Sequence, residues 1–112
     1  DIVVANLMIN GSIPCAATWC FSAHEKAYSD DVELVGEKAS VSFSCFDYRD
    51  IVVNNAGRSY TFKNERPEHI QMPLIDLVVK DLLGTDRCPS TGITAARTSK
   101  VLDEILKDYY KK

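Results

Sequence analysis

Apolar and polar residues alternate with a period of two along the first half of the chain, which predicts β-strands. The clearest alternation is at residues 40–45, where each serine is followed by Val41, Phe43 or Cys45. Such a strand has one polar and one apolar face, so we expect Cys45 to point into the core. Residues 1–9 carry large aliphatic side chains on both faces, which predicts a first strand that is covered on both sides.

Turn-forming residues divide the following stretch into two hairpins. Residues 36–38 supply the first turn, and residues 54–57 supply the second, where Asn and Gly tolerate the positive φ of a tight hairpin turn. Residues 15–28 mix strand-like and helix-like features, so their structure stays open. The strands of the two hairpins are predicted at residues 32–35, 39–46, 50–53 and 58–63.

After residue 63 the period changes from two to 3.6, which predicts helices. Pro73 suits the first turn of a helix, whose N–H groups have no partner within the helix, and Gly84 suits its end. A loop at residues 86–92 then leads into a second helix. The apolar stripes that we expect to be buried are Leu74, Leu77, Val78 and Leu82 in the first helix and Val101, Leu102, Ile105, Leu106 and Tyr109 in the second.

Strands followed by helices predict an α+β fold. We expect a two-layer sandwich, in which an antiparallel sheet of about four to five strands carries two C-terminal helices on one face. A length of 112 residues predicts a single domain over residues 1–112 with one core. The composition, 46% apolar and 26% charged, is that of a folded globular protein.

Charge and hydropathy exclude two classes of partner. A formal net charge of −3 is too small and of the wrong sign for a protein held mainly by phosphates, so no nucleic acid is expected. The longest apolar runs fall short of the roughly 20 residues that a bilayer span needs, so no membrane insertion is expected. The chain opens on Asp1 and a strand-like run, which predicts a removed signal peptide or, alternatively, a sequence trimmed to the folded domain.

The four cysteines are Cys15, Cys20, Cys45 and Cys88, and their spacing matches no zinc or redox motif. We therefore expect disulfides and neither a metal site nor a cofactor, although four reduced buried thiols would also fit the composition. Of the three possible pairings we favour Cys20 with Cys45 and Cys15 with Cys88. The sequon at Asn10 fits export, and it predicts glycosylation there. The expected location is extracellular, with the bacterial periplasm as the alternative.

The sequence contains no nucleophile-elbow motif, phosphate-binding glycine loop or dinucleotide fingerprint, so no catalytic residue is assigned and the chain is not expected to be an enzyme. His24 and His69 could form the acid and base of a nuclease, but their polar surroundings favour surface histidines. The pair Asp30 and Asp31, like the acidic residues within 47–50, fits turns and solubility better than hydrolysis.

Aromatic and basic side chains suggest a surface that binds another protein. Trp19 and Phe21 are of the type that anchors interfaces, although packing in the core explains them too. Asn55 lies in the second hairpin turn, and Arg58 and Arg66 place basic charge that would suit an acidic partner or simply solvate the hairpin.

We therefore expect a small secreted binding protein, an effector or toxin-like factor that acts on a host or competitor protein. The alternatives are an exported inhibitor or immunity protein that blocks a hydrolase, and a small secreted hydrolase or nuclease. In size, cysteine content and the order of strands and helices, the chain resembles the small secreted cysteine-containing effectors and killer toxins of fungi. No residue roles follow from that resemblance.

Overall fold

The computed structural model describes residues 1–111, and within them six β-strands precede two α-helices. The strands pair antiparallel, in one two-stranded and one four-stranded sheet. The predicted α+β fold with two C-terminal helices is confirmed, with its strands divided between two sheets. The elements are β1 (Ile2–Ile9), β2 (Ile13–Cys20), β3 (Val32–Val35), β4 (Ala39–Phe43), β5 (Ile51–Asn55), β6 (Arg58–Phe62), α1 (Met72–Leu82) and α2 (Gly92–Tyr110).

The described chain divides into two compact units. One comprises residues 1–23 and the residues from Pro73 onward, and it contains β1, β2, α2 and all of α1 except Met72. The other, His24–Met72, contains the four-stranded sheet and a short 3-10 turn at Glu25–Ala27. The expectation of a single domain stays a prediction.

A tight turn joins β1 and β2 into a hairpin that we call the ribbon. Both central residues of the turn have positive φ, 51° at Asn10 and 72° at Gly11, and the Ser12 N–H donates to the Ile9 carbonyl over 3.2 Å. Positive φ at both central positions is what a type I′ turn requires, and the twist of such turns matches that of paired strands. The stretch whose structure the sequence left open therefore begins as a strand, and Asn10 of the predicted glycosylation site lies at an exposed turn.

The ribbon is covered less than its sequence predicts. On one face Ala5 is buried and Val3 and Leu7 are half-buried, whereas on the other face Val4 is 65% and Met8 60% exposed. The expectation that β1 is covered on both sides is therefore wrong. Aliphatic side chains on both faces of a strand indicate that both faces are apolar, and they do not by themselves provide a second layer.

The four-stranded sheet follows the order β3-β4-β5-β6. The two predicted hairpins are confirmed, but every residue of β4 is half-buried, so the predicted division into a dry and a wet face does not appear. The prediction that Cys45 points into the core is also wrong. β4 ends at Phe43, and beyond it Ser44 is buried while Cys45 is exposed, because the chain turns into a loop whose N–H groups bind a carboxylate.

Both helices have recognisable ends. Pro73 lies in the first turn of α1, and Gly84 with φ 71° follows its end, where the Thr85 N–H reaches back to the Lys80 carbonyl over 3.0 Å. Thr91 caps α2 and exchanges hydrogen bonds with Thr94. Within residues 1–111, neither helix has the length and apolar character needed to cross a bilayer. The predicted stripes are at most half-buried, at Leu77, Ile105 and Leu106.

The β5–β6 turn gives a stability prediction. Ala56 and Gly57 both have positive φ, 45° and 78°, a region in which a Cβ is unfavourable. Ala56→Gly should therefore raise the free energy of unfolding by about 0.5–1 kcal/mol, and Gly57→Ala should lower it by about 1 kcal/mol. Urea unfolding followed by circular dichroism measures both changes.

Gly92→Ala is the matched control, because Gly92 begins α2 with no positive φ and with space around its Cα. We expect this change to leave stability equal or slightly higher. A destabilising effect of Ala56→Gly would show that the β5–β6 turn has a different conformation.

Candidate interaction surface and its supporting loop

The exposed side of the ribbon is the candidate interaction surface, and we call it the open face. Its β1 residues are Ile2, Val4, Asn6 and Met8, and the β2 residues opposite them are Cys20, Thr18, Ala16 and Pro14. Ile2, Val4 and Met8 are each at least 60% exposed. None of the eight is charged, and contiguous exposed apolar surface of this kind marks a site of association.

A shallow cavity near the hairpin turn borders the open face and also includes residues of the other face of the ribbon. Its volume is about 410 Å³, and its lining includes Met8, Pro14 and the half-buried Cys15. Both walls come from the ribbon, since the remaining lining residues are Asn6, Leu7 and Ala16. The cavity is mostly apolar, so it suits an apolar side chain better than a charged ligand.

The structure places the predicted binding residues in two separate groups. Trp19 lies on β2 opposite Val3, on the more covered side of the ribbon, and Phe21 follows β2 with 76% of its surface exposed. Asn55 and Arg58 lie opposite each other beside the β5–β6 turn. Trp19 and Phe21 thus belong to one unit, while Asn55, Arg58 and Arg66 belong to the other.

Arg66 has a specific contact. Its guanidinium lies 5.8 Å from the centroid of the Tyr48 ring, a cation–π distance. Tyr48 itself has a φ of 54°, unusual for a residue with a side chain. Arg66 therefore contacts a residue in the loop after β4, and its role in binding a partner stays a prediction.

The loop at residues 44–49 is bound by the carboxylate of Asp30. The N–H groups of Cys45, Phe46 and Asp47 all donate to Asp30, at 3.1, 2.5 and 3.1 Å. One carboxylate thereby satisfies three consecutive N–H groups that no strand could pair. The hydrogen bond from Phe46 is the main cause of a lowered pKa at Asp30, with further lowering from the other two N–H groups and from Arg49.

Arg49 closes the loop from the other side. Its guanidinium donates to the Asp30 carbonyl oxygen and to the Asp31 carboxylate, the latter at 2.7 Å, and its own N–H donates to the Ser44 hydroxyl at 2.9 Å. Ser29 donates to Asp31, and this bond followed by that from Arg49 lowers the Asp31 pKa. Sequence patterns do not reveal this network, whose one signal is the pair of adjacent aspartates before a strand.

Tyr28 joins the same network through its hydroxyl, which donates to the Asp47 carboxylate at 2.9 Å. That hydrogen bond raises the Tyr28 pKa, because the carboxylate stabilises the protonated phenol. Asp30, Asp31 and Asp47 therefore all have structural partners, which favours the turn interpretation of these carboxylates over hydrolysis.

The two histidines lie in the unit with the four-stranded sheet. The His24 Nδ1 accepts a hydrogen bond from the Lys26 N–H at 3.2 Å, where it caps the 3-10 turn. The His69 carbonyl accepts from the Met72 N–H at the start of α1. Both side chains are exposed, and a role for either in acid–base chemistry stays a prediction.

All four cysteines are free thiols in the structure, so the two disulfides stay a prediction. Cys88 is buried, and its Sγ lies 3.5 Å from the Ser90 carbonyl oxygen. Cys15 and Cys20 lie in the same strand, five positions apart, which separates their Cα atoms by about 16 Å. A disulfide needs less than about 7 Å, so the pairing of Cys15 with Cys20 is incompatible with β2.

Comparison with known proteins gives one informative likeness. No family model matches the chain, and no solved structure matches it either. The chain is 30% identical over 101 residues to a protein named Oxidoreductase P35 of Formosa agariphila. The match covers 90% of this chain but 30% of that protein, so the chain spans less than a third of the relative's length.

The Asp30 network gives a prediction for pH. Because the pKa values of Asp30 and Asp31 are lowered in the folded state, their contribution to stability is present above the ordinary aspartate pKa of about 3.9 and is lost as the pH falls through the folded values. Asp30→Asn should flatten the dependence of the urea midpoint on pH below about 5.

Asp103→Asn is the control for this titration, since it removes a carboxylate from α2 in the other unit. The control should retain the acid dependence of the unchanged chain. Equal slopes for Asp30→Asn and the unchanged chain would show that the carboxylate of Asp30 does not hold the loop.

The ribbon geometry gives a prediction for oxidation. When the purified chain is oxidised under native conditions, peptide mapping without reduction should recover no bond between Cys15 and Cys20, because β2 holds them too far apart. The same digestion after unfolding in urea is the control, since the unfolded chain can form that bond. Recovery of the bond from native protein would show that β2 is not formed in solution.

Proposed function

We propose that this chain is a protein-binding unit that works as part of an oxidoreductase. The observation that carries the proposal is the open face of the ribbon, an uncharged surface on which the apolar side chains of Ile2, Val4 and Met8 are each at least 60% exposed.

The exposed surface is of a kind that other proteins cover. Val35, Phe46 and Leu82 are 78%, 79% and 83% exposed, in addition to the open face of the ribbon. Exposed apolar side chains on this scale favour association, because burying them removes apolar area from water. The prediction of another protein as partner is retained in this proposal.

The likeness to Oxidoreductase P35 supports the second part of the proposal, that the chain works within an oxidoreductase. The aligned part of this chain includes most of its residues, so the likeness concerns its whole pattern of strands and helices and not a short motif. Beyond the aligned region, the relative has more than twice as many residues as this chain. Those residues offer a surface within the same enzyme for the open face to contact. Redox chemistry would then belong to the assembled enzyme.

The earlier expectations of a secreted effector or toxin-like factor, of an inhibitor and of a small nuclease stay predictions. Export, glycosylation and an extracellular location are equally untested. A free effector would use the same exposed surface on a foreign protein, so the experiment has to separate a surface that belongs within an enzyme from one that works alone.

A chimera provides that separation. The matched region of Oxidoreductase P35 is replaced by this chain, and thermal unfolding of the chimera is followed by calorimetry. If the chain is an integral part of such an enzyme, it should unfold together with the remainder in one cooperative transition. The transition of the isolated 112-residue chain should be absent.

The control chimera carries Val4→Lys and Met8→Glu, which place charges on the open face without altering the backbone of β1. We expect its transition to split or to fall in temperature, because charged groups would be buried without partners. If the unaltered chimera instead shows two independent transitions, one matching the isolated chain, the chain is a self-sufficient module and the proposal fails.

A further inference from the structure

The outer strands of the two sheets differ in how they are protected against pairing with another chain. An edge strand presents unpaired N–H and C=O groups, and proteins blunt such edges with short strands, charges or proline. The four-stranded sheet uses the first two devices: β3 has four residues and includes Glu33, and β6 has five residues and includes Arg58. β1 has eight residues, with no charge and no proline.

The backbone of β1 alternates between groups that bind β2 and groups that point away. The Phe21 N–H donates to the Asp1 carbonyl at 2.9 Å, and in an antiparallel pair such hydrogen-bonded positions recur at every second residue. The odd-numbered residues of β1 therefore bind β2. Ile2, Val4, Asn6 and Met8 direct their N–H and C=O groups to the outer edge, where the two-stranded sheet has no further strand.

The outer edge of β2 is different because Pro14 lies on it. Pro14 pairs with Met8, a position whose backbone groups point outward, so the missing N–H of proline interrupts the outer edge of β2 and leaves its ladder with β1 intact. The ribbon thus has one blunted edge and one open edge. A third strand can add only alongside β1 without losing a hydrogen bond.

We propose that β1 pairs antiparallel with β1 of a second copy of this chain. The result is a continuous four-stranded sheet in the order β2-β1-β1-β2 about a two-fold axis. A two-stranded ribbon is marginally stable in water unless further strands or a helix pack with it. Association of two ribbons supplies further strands from one sequence.

The sequence of β1 is compatible with pairing to itself. The register that overlaps the whole strand places Ala5 opposite its own copy on the axis, Val4 opposite Asn6 and Ile2 opposite Met8. The outward-pointing groups of all four even-numbered residues are then paired, in about eight interchain hydrogen bonds. No like charges face each other, and Asp1 meets Ile9.

This inference goes beyond the proposed function, since it names a second copy as the partner of one edge and rests only on the geometry of the ribbon. The dimer occupies the backbone edge of β1 and leaves the side chains of the open face for a further surface.

Sedimentation equilibrium of the purified chain tests the pairing. We expect a dimer with twice the 12.5 kDa mass of the chain, and this dimer should dissociate on dilution. Val4→Pro removes an outward N–H from each copy and should weaken the dimer by about tenfold or more. Thr18→Pro is the matched control, because Thr18 lies directly opposite Val4 and points to the outer edge of β2; it should leave the dimer unchanged.

Hydrogen exchange of the unchanged chain tests the pairing of β1 with β1 even if a proline variant unfolds. In the unchanged chain the N–H groups of Val3, Ala5 and Leu7 should be protected at every concentration, because they bind β2. Those of Val4, Asn6 and Met8 should become protected only at concentrations where the dimer forms. Asn6→Lys, which keeps the N–H but adds a charge at the edge, should shift that protection to higher concentration.

Two results would overturn the inference. A chain that stays monomeric at millimolar concentration lacks the pairing, and a dimer whose even-numbered N–H groups exchange freely associates through another surface. Neither result affects the chimera experiment, which asks whether the chain unfolds as part of a larger enzyme. The two proposals can therefore fail separately.

Discussion

Backbone hydrogen bonds, between neighbouring strands and within the two helices, hold this molecule more than a core of side chains does, because very few of its side chains are removed from water. Among residues 1–111, the apolar side chains that count as buried are those of Ala5 and Cys88. Strand ladders satisfy backbone polar groups, but each such hydrogen bond adds only about 1 kcal/mol net. A fold with so little burial has a small margin against its loss of chain entropy, and covering its apolar surface would widen that margin.

The loop after β4 satisfies its backbone N–H groups without a neighbouring strand. Where strand pairing stops, the Asp30 carboxylate replaces a neighbouring strand as the acceptor for three successive N–H groups. Arg49 then offsets part of the negative charge of the surrounding aspartates. The network satisfies backbone N–H groups within one loop, as strand pairing does along a sheet. It also fixes the conformation in which Tyr48 has positive φ. Acidic residues that look like candidate catalysts therefore bind backbone N–H groups and hold the loop.

Local signals predicted most of the elements. Alternation and turn residues located the two hairpins of the four-stranded sheet but not the ribbon, and Pro73 and Gly84 located the ends of α1, because these features depend on neighbouring residues alone. Burial could not be predicted in this way. Cys45 was assigned to a core from its place in an alternating run, but whether a face is covered depends on what packs against it. The Asp30 network joins residues 15 to 19 positions apart, a distance that no local pattern reports.

Pro14 has a consequence for the size of any assembly built from ribbons. A ribbon with two open edges could add copies without end, as fibrils do, because every added ribbon would expose a new unpaired edge. With proline on the outside of β2, the sheet that forms through β1 exposes only blunted strands at both of its margins. Each further copy would lose a hydrogen bond at Pro14, so a single ring without an N–H favours a closed pair over open-ended polymerisation.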